Sequence, residues 1–391
     1  MIAVQRSGKY YLAVYLIVFC AFFDTHAQMP VLTPYALSLG ATPFILGLII
    51  GAYSFSNICG NFIGGAAIDT LGWSRPLLIG LFGASLLLFS YTVAENAAAL
   101  IYIRAGHGLA GGILIPSALA CLAGGERSEY SKRMAAFGAT VGLAAISGPM
   151  SAGLIASRLG YASVYYFLAA LLFIAAVISL PLTKYKPVCG ANAALTRESF
   201  TKISAMPSMK VAYISAFGLM GATGTLAAFL PVRTAGLGFG PAETGILFTI
   251  FAFQAILVQA AWPTWIMARI ENPAAGCLLG LPIIAASLLS AGIASTFAAL
   301  AVALAVYGTG FGLSFQGMLG LVMEGSESEW RGRAIGLFFA AYSIGAALLP
   351  PLGGLIWQNI IVLFPFYTAS LFTLLSWYAA FSLNKKSGRN F

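Results

Sequence analysis

Twelve apolar stretches, each long enough to cross a bilayer as a helix, leave this chain of 391 residues little choice of solvent. They run at about 11 to 36, 44 to 68, 76 to 94, 98 to 123, 134 to 157, 162 to 182, 211 to 232, 242 to 268, 274 to 294, 297 to 323, 334 to 359 and 362 to 383. A spanning helix needs about 20 apolar residues, and none of these runs has the two-residue alternation of barrel strands. The composition is 60% hydrophobic and 8% charged, whereas soluble domains carry about 25% charged residues. The expected fold class is an all-α membrane protein with twelve transmembrane helices. Short loops account for the remainder, and no separate soluble domain of ordinary size fits. Arg6 and Lys9 precede the first run as in a signal peptide, but the run continues past Asp24 without a small-residue cleavage site, so it is read as the first span.

The charges that remain set the topology. The longest hydrophilic stretch, 183–210, separates six runs from six and predicts an N-terminal bundle over 1–182 and a C-terminal bundle over 211–391. If both termini share one side, that side receives seventeen of the 20 Lys and Arg residues, the other receives Arg158 and Arg233, and Arg104 stays inside a span. The positive-inside rule then makes the termini and the central loop cytoplasmic, in a multi-pass protein of the cytoplasmic membrane. Basic residues spread along loops in this way do not make a nucleic-acid surface. The five cysteines, Cys20, Cys59, Cys121, Cys189 and Cys277, have no metal-ligand spacing and read as small packing residues. The halves also resemble each other. Glu129-Tyr-Ser-Lys-Arg133 matches Glu329-Trp-Arg-Gly-Arg333, and Pro149 with Gly153-Leu-Ile matches Pro350 with Gly354-Leu-Ile. That constant spacing implies a duplication and two pseudo-symmetric six-helix bundles.

An ionisable side chain at the centre of a span costs about 2.5 kcal/mol or more and is a functional candidate by default. Asp24 and His26 lie in the first span, and Arg104 and His107 in the fourth. Asp24 is the candidate proton carrier, because desolvation disfavours a buried carboxylate and a neighbouring cation favours it. Arg104 is the expected counter-charge; a static ion pair holding two helices together is the alternative. His107 shares the face of Arg104 at i+3, whereas His26 is about 200° around an ideal helix from Asp24 and belongs to the group only if Pro30 and Pro34 distort the turn. Gln28, Asn57 and Asn61 are candidate cavity residues in the first half, as are Gln254, Phe311, Gln316 and Tyr342 in the second. The second half is otherwise a wall of Phe248, Phe251, Phe253, Phe311 and Phe315, which suits an amphiphilic or aromatic substrate; interhelical glue is the competing reading of each polar group.

Four stretches carry a family likeness. Asp24-Thr-His-Ala-Gln-Met-Pro-Val-Leu-Thr-Pro-Tyr-Ala looks like an acidic first helix followed by paired prolines. Gly65-Ala-Ala-Ile-Asp69-Thr-Leu-Gly72-Trp-Ser-Arg75 is similar to a loop signature between the second and third spans, with Thr70 and Trp73 where basic residues are usual. Arg104-Ala-Gly-His-Gly108-Leu-Ala follows a fourth-helix signature with His107 in place of glutamine. Ala144-Ala-Ile-Ser-Gly148-Pro149-Met-Ser-Ala-Gly153 looks like a fifth-helix signature associated with antiporters. Together they resemble the major facilitator superfamily, and within it the twelve-span drug:proton antiporters. That resemblance implies a conformational latch built from Gly65, Asp69, Gly72, Arg75, Arg331 and Arg333, in which Asp69 meets the start of the eleventh helix. It implies that Gly148, Pro149 and Gly153 let the fifth helix bend and pack closely.

The expected function is secondary transport by alternating access, exporting a small organic molecule in exchange for protons, with no cofactor, no metal and the proton gradient as energy source. The expected partners are substrate, protons and lipid, without nucleic acid, and the expected state is a monomer. Export of a specific metabolite or siderophore, proton symport inward, and a non-transporting sensor remain the alternatives. No nucleophile with a base, metal cluster or phosphate loop suggests an enzyme.

Overall fold

The computed structural model describes residues 8–123, 129–184, 201, 205–262, 272–326, 331–359 and 364–386. Among them the chain is helical and without strands, and twelve helices are long and apolar enough to cross a membrane. In the first half these are α1 (Gly8–Ala27), α3 (Pro43–Leu71), α4 (Ser74–Tyr91), α5 (Ala97–Ala123), α6 (Tyr130–Leu159) and α7 (Tyr161–Ser179, extended by a 3-10 turn, Leu180–Lys184). In the second they are α8 (Pro207–Gly236), α9 (Pro241–Ala261), α10 (Ala274–Ile293), α11 (Phe297–Glu324), α12 (Arg331–Asn359) and α13 (Phe364–Lys386). A short α2 (Leu32–Ser38) follows α1. Large apolar side chains left at the surface, such as Phe55, Leu86, Ile293 and Val302, are what helices bathed in lipid require.

The first span departs from its predicted extent of 11 to 36. α1 ends at Ala27, and the next residues form a turn in which Met29 N–H donates to His26 O and Val31 N–H to Gln28 O before α2 begins. Pro30 and Pro34 each remove a backbone donor, and two such losses four residues apart end the ladder. The matching stretch of the second half has one proline, Pro231, and α8 runs through it unbroken. Both stretches then close on a glycine with positive φ, Gly40 at 82° and Gly238 at 83°, a conformation that L side chains adopt at a cost.

Two compact units emerge, and they do not follow chain order alone. The first comprises 1–41, 52–192 and 240–249, and the second 42–51, 193–239 and 250–391. Two ten-residue segments, the start of α3 and the start of α9, group with the unit other than that of the rest of their helix; most of the 183–210 loop lies outside the described residues. Within the first unit α1 packs on α6, and α4 packs on α5 and α7. Within the second, α8 lies centrally against α11, α12 and α13, and α10 packs on α11 and α13.

Small residues allow these approaches, as membrane helices require where no hydrophobic gradient drives association. A Cβ on Gly108 of α5 would collide with the Tyr53 carbonyl of α3, and one on Gly112 with the Asn57 carbonyl. A Cβ on Gly148 would crowd Ala27 and Phe23 of α1. The duplication reappears as a repeated crossing. In the first unit Gly153 and Pro149 of α6 meet Pro241 and Gly245 of α9, and Thr249 Oγ1 donates to Ile146 O at 2.9 Å. In the second unit Gly354 and Pro350 of α12 meet Pro43 and Gly47 of α3. Gly148 and Gly153 thus serve the close packing implied by the resemblance, and Pro149 lies inside α6.

Gly108→Ala is expected to lower the melting temperature of the purified protein, because overpacking of this kind costs about 1–3 kcal/mol. Gly65→Ala, whose added Cβ meets nothing within 4 Å, is the matched control and is expected to melt no lower than the parent.

Candidate functional site: a buried acid, base and cation in the first unit

Asp24 is one turn from the end of α1, where it is 3% exposed among apolar neighbours. A carboxyl group so placed must find donors, and it finds two. His107 Nε2 lies 3.0 Å from Oδ2, and Gln28, one turn further along, donates from Nε2 to Oδ1 at 2.8 Å. Gln28 in turn accepts from Arg104 through Oε1 at 2.9 Å. The arrangement is therefore a chain, His107–Asp24–Gln28–Arg104, in which His107 holds the carboxyl directly and Arg104 is joined to it through Gln28. Gln28, expected in a substrate cavity, is 2% exposed and acts as this connector. His107 is 1% exposed and Arg104 8%.

Helices α3 and α4 complete the surroundings. The close α3–α5 approach at Gly108 brings the Tyr53 ring under the Arg104 guanidinium at 4.4 Å, a cation–π contact that gains strength where water is excluded. Tyr91, the last residue of α4, places its hydroxyl 3.5 Å from His107 Nδ1 and within reach of Arg104. Its ring stacks on Tyr165 of α7, with centroids 4.5 Å apart and planes 4° from parallel. A cavity of about 20 Å³ lies beside the pair, lined by Asp24, Thr25, Tyr53, His107 and Gly111 among others. That is room for roughly one water molecule.

The ring of His107 is a base hydrogen-bonded to an acid. Transfer of one proton across the 3.0 Å contact converts an imidazolium–carboxylate pair into a neutral pair with little heavy-atom movement. Among the described residues no three His, Cys, Asp or Glu side chains cluster as metal ligands would.

Several expected site residues fall elsewhere. His26 faces away from Asp24, as its position around the helix requires. Its Nδ1 is 2.7 Å from Phe22 O, its ring stacks on Phe22, and it abuts Gly148 of α6. Asn57 and Asn61 are half-buried and hydrogen-bonded: Asn57 donates across to Gly108 O of α5 at 3.2 Å, and Asn61 donates within α3 to both Asn57 Oδ1 and O at 2.9 Å. Asp69 and Arg75 are exposed near the α3–α4 turn, which Gly72 makes with φ 75°; a Cβ on Gly65 would meet open space. Arg333 is half-buried in the first turn of α12 in the second unit, and the Arg331 side chain lies outside the described residues. Trp73, which stands where a basic residue is usual, is 2% exposed against Tyr10 of α1.

Arg133 was counted with the loop charges but is buried, donating from Nε to Leu122 O at 2.9 Å and covered by Tyr11 and Tyr130. A cation at the carbonyl end of α5 is favoured by that helix's dipole. In the second unit, Gln254 donates to Thr309 Oγ1 at 3.1 Å, and Gln316 is half-buried. Phe251, Phe311, Phe315 and Tyr342 do form one aromatic cluster, joined by Tyr307 and Phe338; Phe311 and Phe315 are 6.0 Å apart and 8° from parallel. Phe253 is exposed on the outside of α9 instead.

Twelve apolar spans carrying a buried acid–base–cation chain define a multi-pass membrane protein of the transporter class. The sequence profile of the Major Facilitator Superfamily matches residues 14–350 and 212–390, and the chain belongs to that family. Its fold is also that of solved members. It is similar to a bacterial homologue of the human lysosomal transporter Spinster (TM-score 0.78, 13% identity, 97% and 98% of the two chains) and to the POT family transporter PepTSo (0.80, 11%, 98% and 99%). Among curated proteins it is 28% identical over 176 residues to the Quinolone resistance protein NorA of Staphylococcus aureus, covering 45% of each chain. It is 29% identical over 213 residues to the Multidrug resistance protein MdtG of Klebsiella pneumoniae, covering 52% of this chain and 51% of that protein. The matched stretch spans about half the length of these relatives.

Removing either partner of the Asp24–His107 contact costs the other one buried hydrogen bond, a loss of about 1–3 kcal/mol, while Gln28 still holds Asp24 and Tyr91 still meets His107. Asp24→Asn and His107→Ala are each expected to lower the melting temperature, and the double variant to fall well short of the summed loss, with a coupling of about 0.5–3 kcal/mol. Additive losses would show that the two side chains do not interact.

Proposed function

We propose that this protein is a proton-coupled exporter of small amphiphilic or aromatic molecules, resident in the cytoplasmic membrane with both termini cytoplasmic and acting as a monomer. The observation that carries the reading is the Asp24–His107 contact, an acid and a base sharing a hydrogen bond inside an apolar bundle and linked through Gln28 to Arg104. Structural glue between membrane helices rarely needs ionisable groups. A carboxyl whose charged and neutral forms are both supported by neighbours is suited to loading and releasing a proton.

In the cycle we infer, protonated Asp24 favours one conformation, and deprotonation with substrate bound favours the other. The gradient shifts that equilibrium only because the two states differ in their affinity for the proton. Release leaves a carboxylate that His107 and Gln28 hold, with Arg104 stabilising the far end of the chain. The aromatic cluster around Phe251, Phe311, Phe315 and Tyr342 is the proposed substrate surface, offering π faces and few fixed hydrogen bonds. The names of the relatives, which concern quinolone and multidrug resistance, support an organic drug-like substrate. Asp69 with Arg331 and Arg333 is proposed to act as a latch between conformations.

Asp24→Asn keeps the shape and removes the proton site. In proteoliposomes with an imposed pH gradient, the variant is expected to move a fluorescent quinolone no faster than empty vesicles, while remaining monodisperse and inserted. Undiminished gradient-driven flux from that variant would overturn the assignment. Replacement of Phe311 and Phe315 by Ala is expected to weaken quinolone binding by about tenfold or more without abolishing proton uptake, because each lost aromatic contact is worth about 0.5–1.5 kcal/mol beyond its area.

A further inference from the structure

The side of His107 that faces away from Asp24 is as organised as the side that faces it. Nδ1 meets the Tyr91 hydroxyl. The Asp24 carboxylate only accepts, so the neutral ring donates to it from Nε2 and takes the Tyr91 O–H at Nδ1. That makes Nδ1 an acceptor and leaves the ring proton on Nε2, directed at Asp24. Beyond Tyr91 lies Tyr165, 0% exposed, stacked on it, and with a hydroxyl that has no partner among the described protein atoms. A buried hydroxyl without a partner is unusual and costly.

These groups lie in a row toward one end of the first unit, where α4 ends at Tyr91, α7 begins at Tyr161, and α2 contributes Tyr35. Tyr35 is close by, its ring 5.2 Å from Tyr165, but its hydroxyl donates to the Tyr91 backbone carbonyl at 2.5 Å and is thereby occupied.

We propose that Tyr165, Tyr91 and His107 form a proton path to Asp24 contained within the first unit. The proposal rests on the proton-coupled reading of Asp24. In the transfer, the Tyr91 O–H bond breaks as an N–H bond forms at His107 Nδ1, and the Nε2–H bond breaks as Asp24 Oδ2 gains its proton. Tyr91 recovers a proton from the Tyr165 hydroxyl across one water, since that hydroxyl makes no hydrogen bond to the described protein atoms, and Tyr165 is resupplied from water at that end of the unit. One proton moves inward, and both tyrosines and the imidazole are neutral at the end. The titratable and charged groups facing the path are Asp24 of α1, Tyr35 of α2, Tyr53 of α3, Tyr91 of α4, Arg104 and His107 of α5, and Tyr165 of α7. In the topology proposed above, the path runs toward the outside face, the side from which an exporter must take its proton.

The test reads Asp24 itself and needs no substrate. The protein is reconstituted in one orientation, acidified by stopped flow at the face where α4 ends, and the carboxylic C=O infrared band of Asp24 is followed, assigned by its loss in Asp24→Asn. Tyr91→Phe and Tyr165→Phe retain the stacked rings and are expected to slow the rise of that band by about tenfold or more while leaving its final amplitude unchanged. Tyr35→Phe removes a hydroxyl from the same cluster but not from the path and is expected to leave the rate unaltered. An unchanged rate in Tyr91→Phe, or equal slowing in Tyr35→Phe, would overturn the path while leaving Asp24 a proton carrier. The absence of any Asp24 band in the parent protein at every pH at which it stays folded would overturn the proton-coupled reading and the path with it.

Discussion

A carboxyl group enclosed by apolar helices must either lose its charge or be given donors, and the organisation of the first unit follows from how Asp24 meets that demand. One donor comes from its own helix, a turn away, and the other from α5. Bringing α5 near enough requires α3, α4 and α5 to approach closely, which the glycines at 80, 108 and 112 permit by leaving room where a Cβ would strike a neighbouring helix. The same approach places Tyr53 under Arg104 and Tyr91 beside His107. Glycine spacing, aromatic positions and buried charge are thus parts of one arrangement. Low polarity around the group strengthens each hydrogen bond within it and raises the cost of leaving any member unpaired.

The two units share a skeleton and divide the chemistry. Gly40 and Gly238, the Pro149–Gly153 and Pro350–Gly354 crossings, and the paired starts of α3 and α9 are the marks of a common origin. Yet among the described residues buried acid, base and cation all lie in the first unit, while the second presents stacked and edge-on aromatic rings with polar pairs such as Thr223 with Tyr307 and Gln254 with Thr309. Such a division suits the proposed cycle, in which one half takes up the proton and the other meets an apolar ligand. It also accounts for the break after α1: ending the helix just beyond Asp24 leaves Gln28 at the turn, where its side chain reaches both Asp24 and Arg104.

The sequence carried the fold openly, because each span is an uninterrupted apolar run and the duplicated signatures repeat at constant spacing. The identities of Asp24, Arg104 and His107 were equally plain, since an ionisable residue within such a run stands out on cost alone. What was hidden was who touches whom. Helical spacing relates His107 to Arg104 on one helix, but nothing in linear order says that His107 rather than Arg104 faces Asp24, or that Gln28 stands between them. Tyr91 and Tyr165 were invisible because an aromatic residue near a span end is ordinary until α4, α5 and α7 are packed together. Asn57 bonds across to α5 and Asn61 back to Asn57, contacts hidden for the reason that makes polar groups ambiguous in any membrane helix: the same amide can line a cavity or close a backbone carbonyl. The capping contact of Arg133 was hidden too, because a basic residue at a span start reads as topology and only packing shows it bonded to the end of the preceding helix.

The central claim is that binding of a substrate and protonation of Asp24 exclude one another. The most direct test counts protons. Purified protein in weakly buffered detergent solution is titrated with a quinolone, and the pH change is converted to protons released per molecule bound. The account predicts release of up to about one proton per molecule over the range in which Asp24 titrates, and none from Asp24→Asn. Stoichiometric binding to the parent protein with no proton released across that range would contradict it.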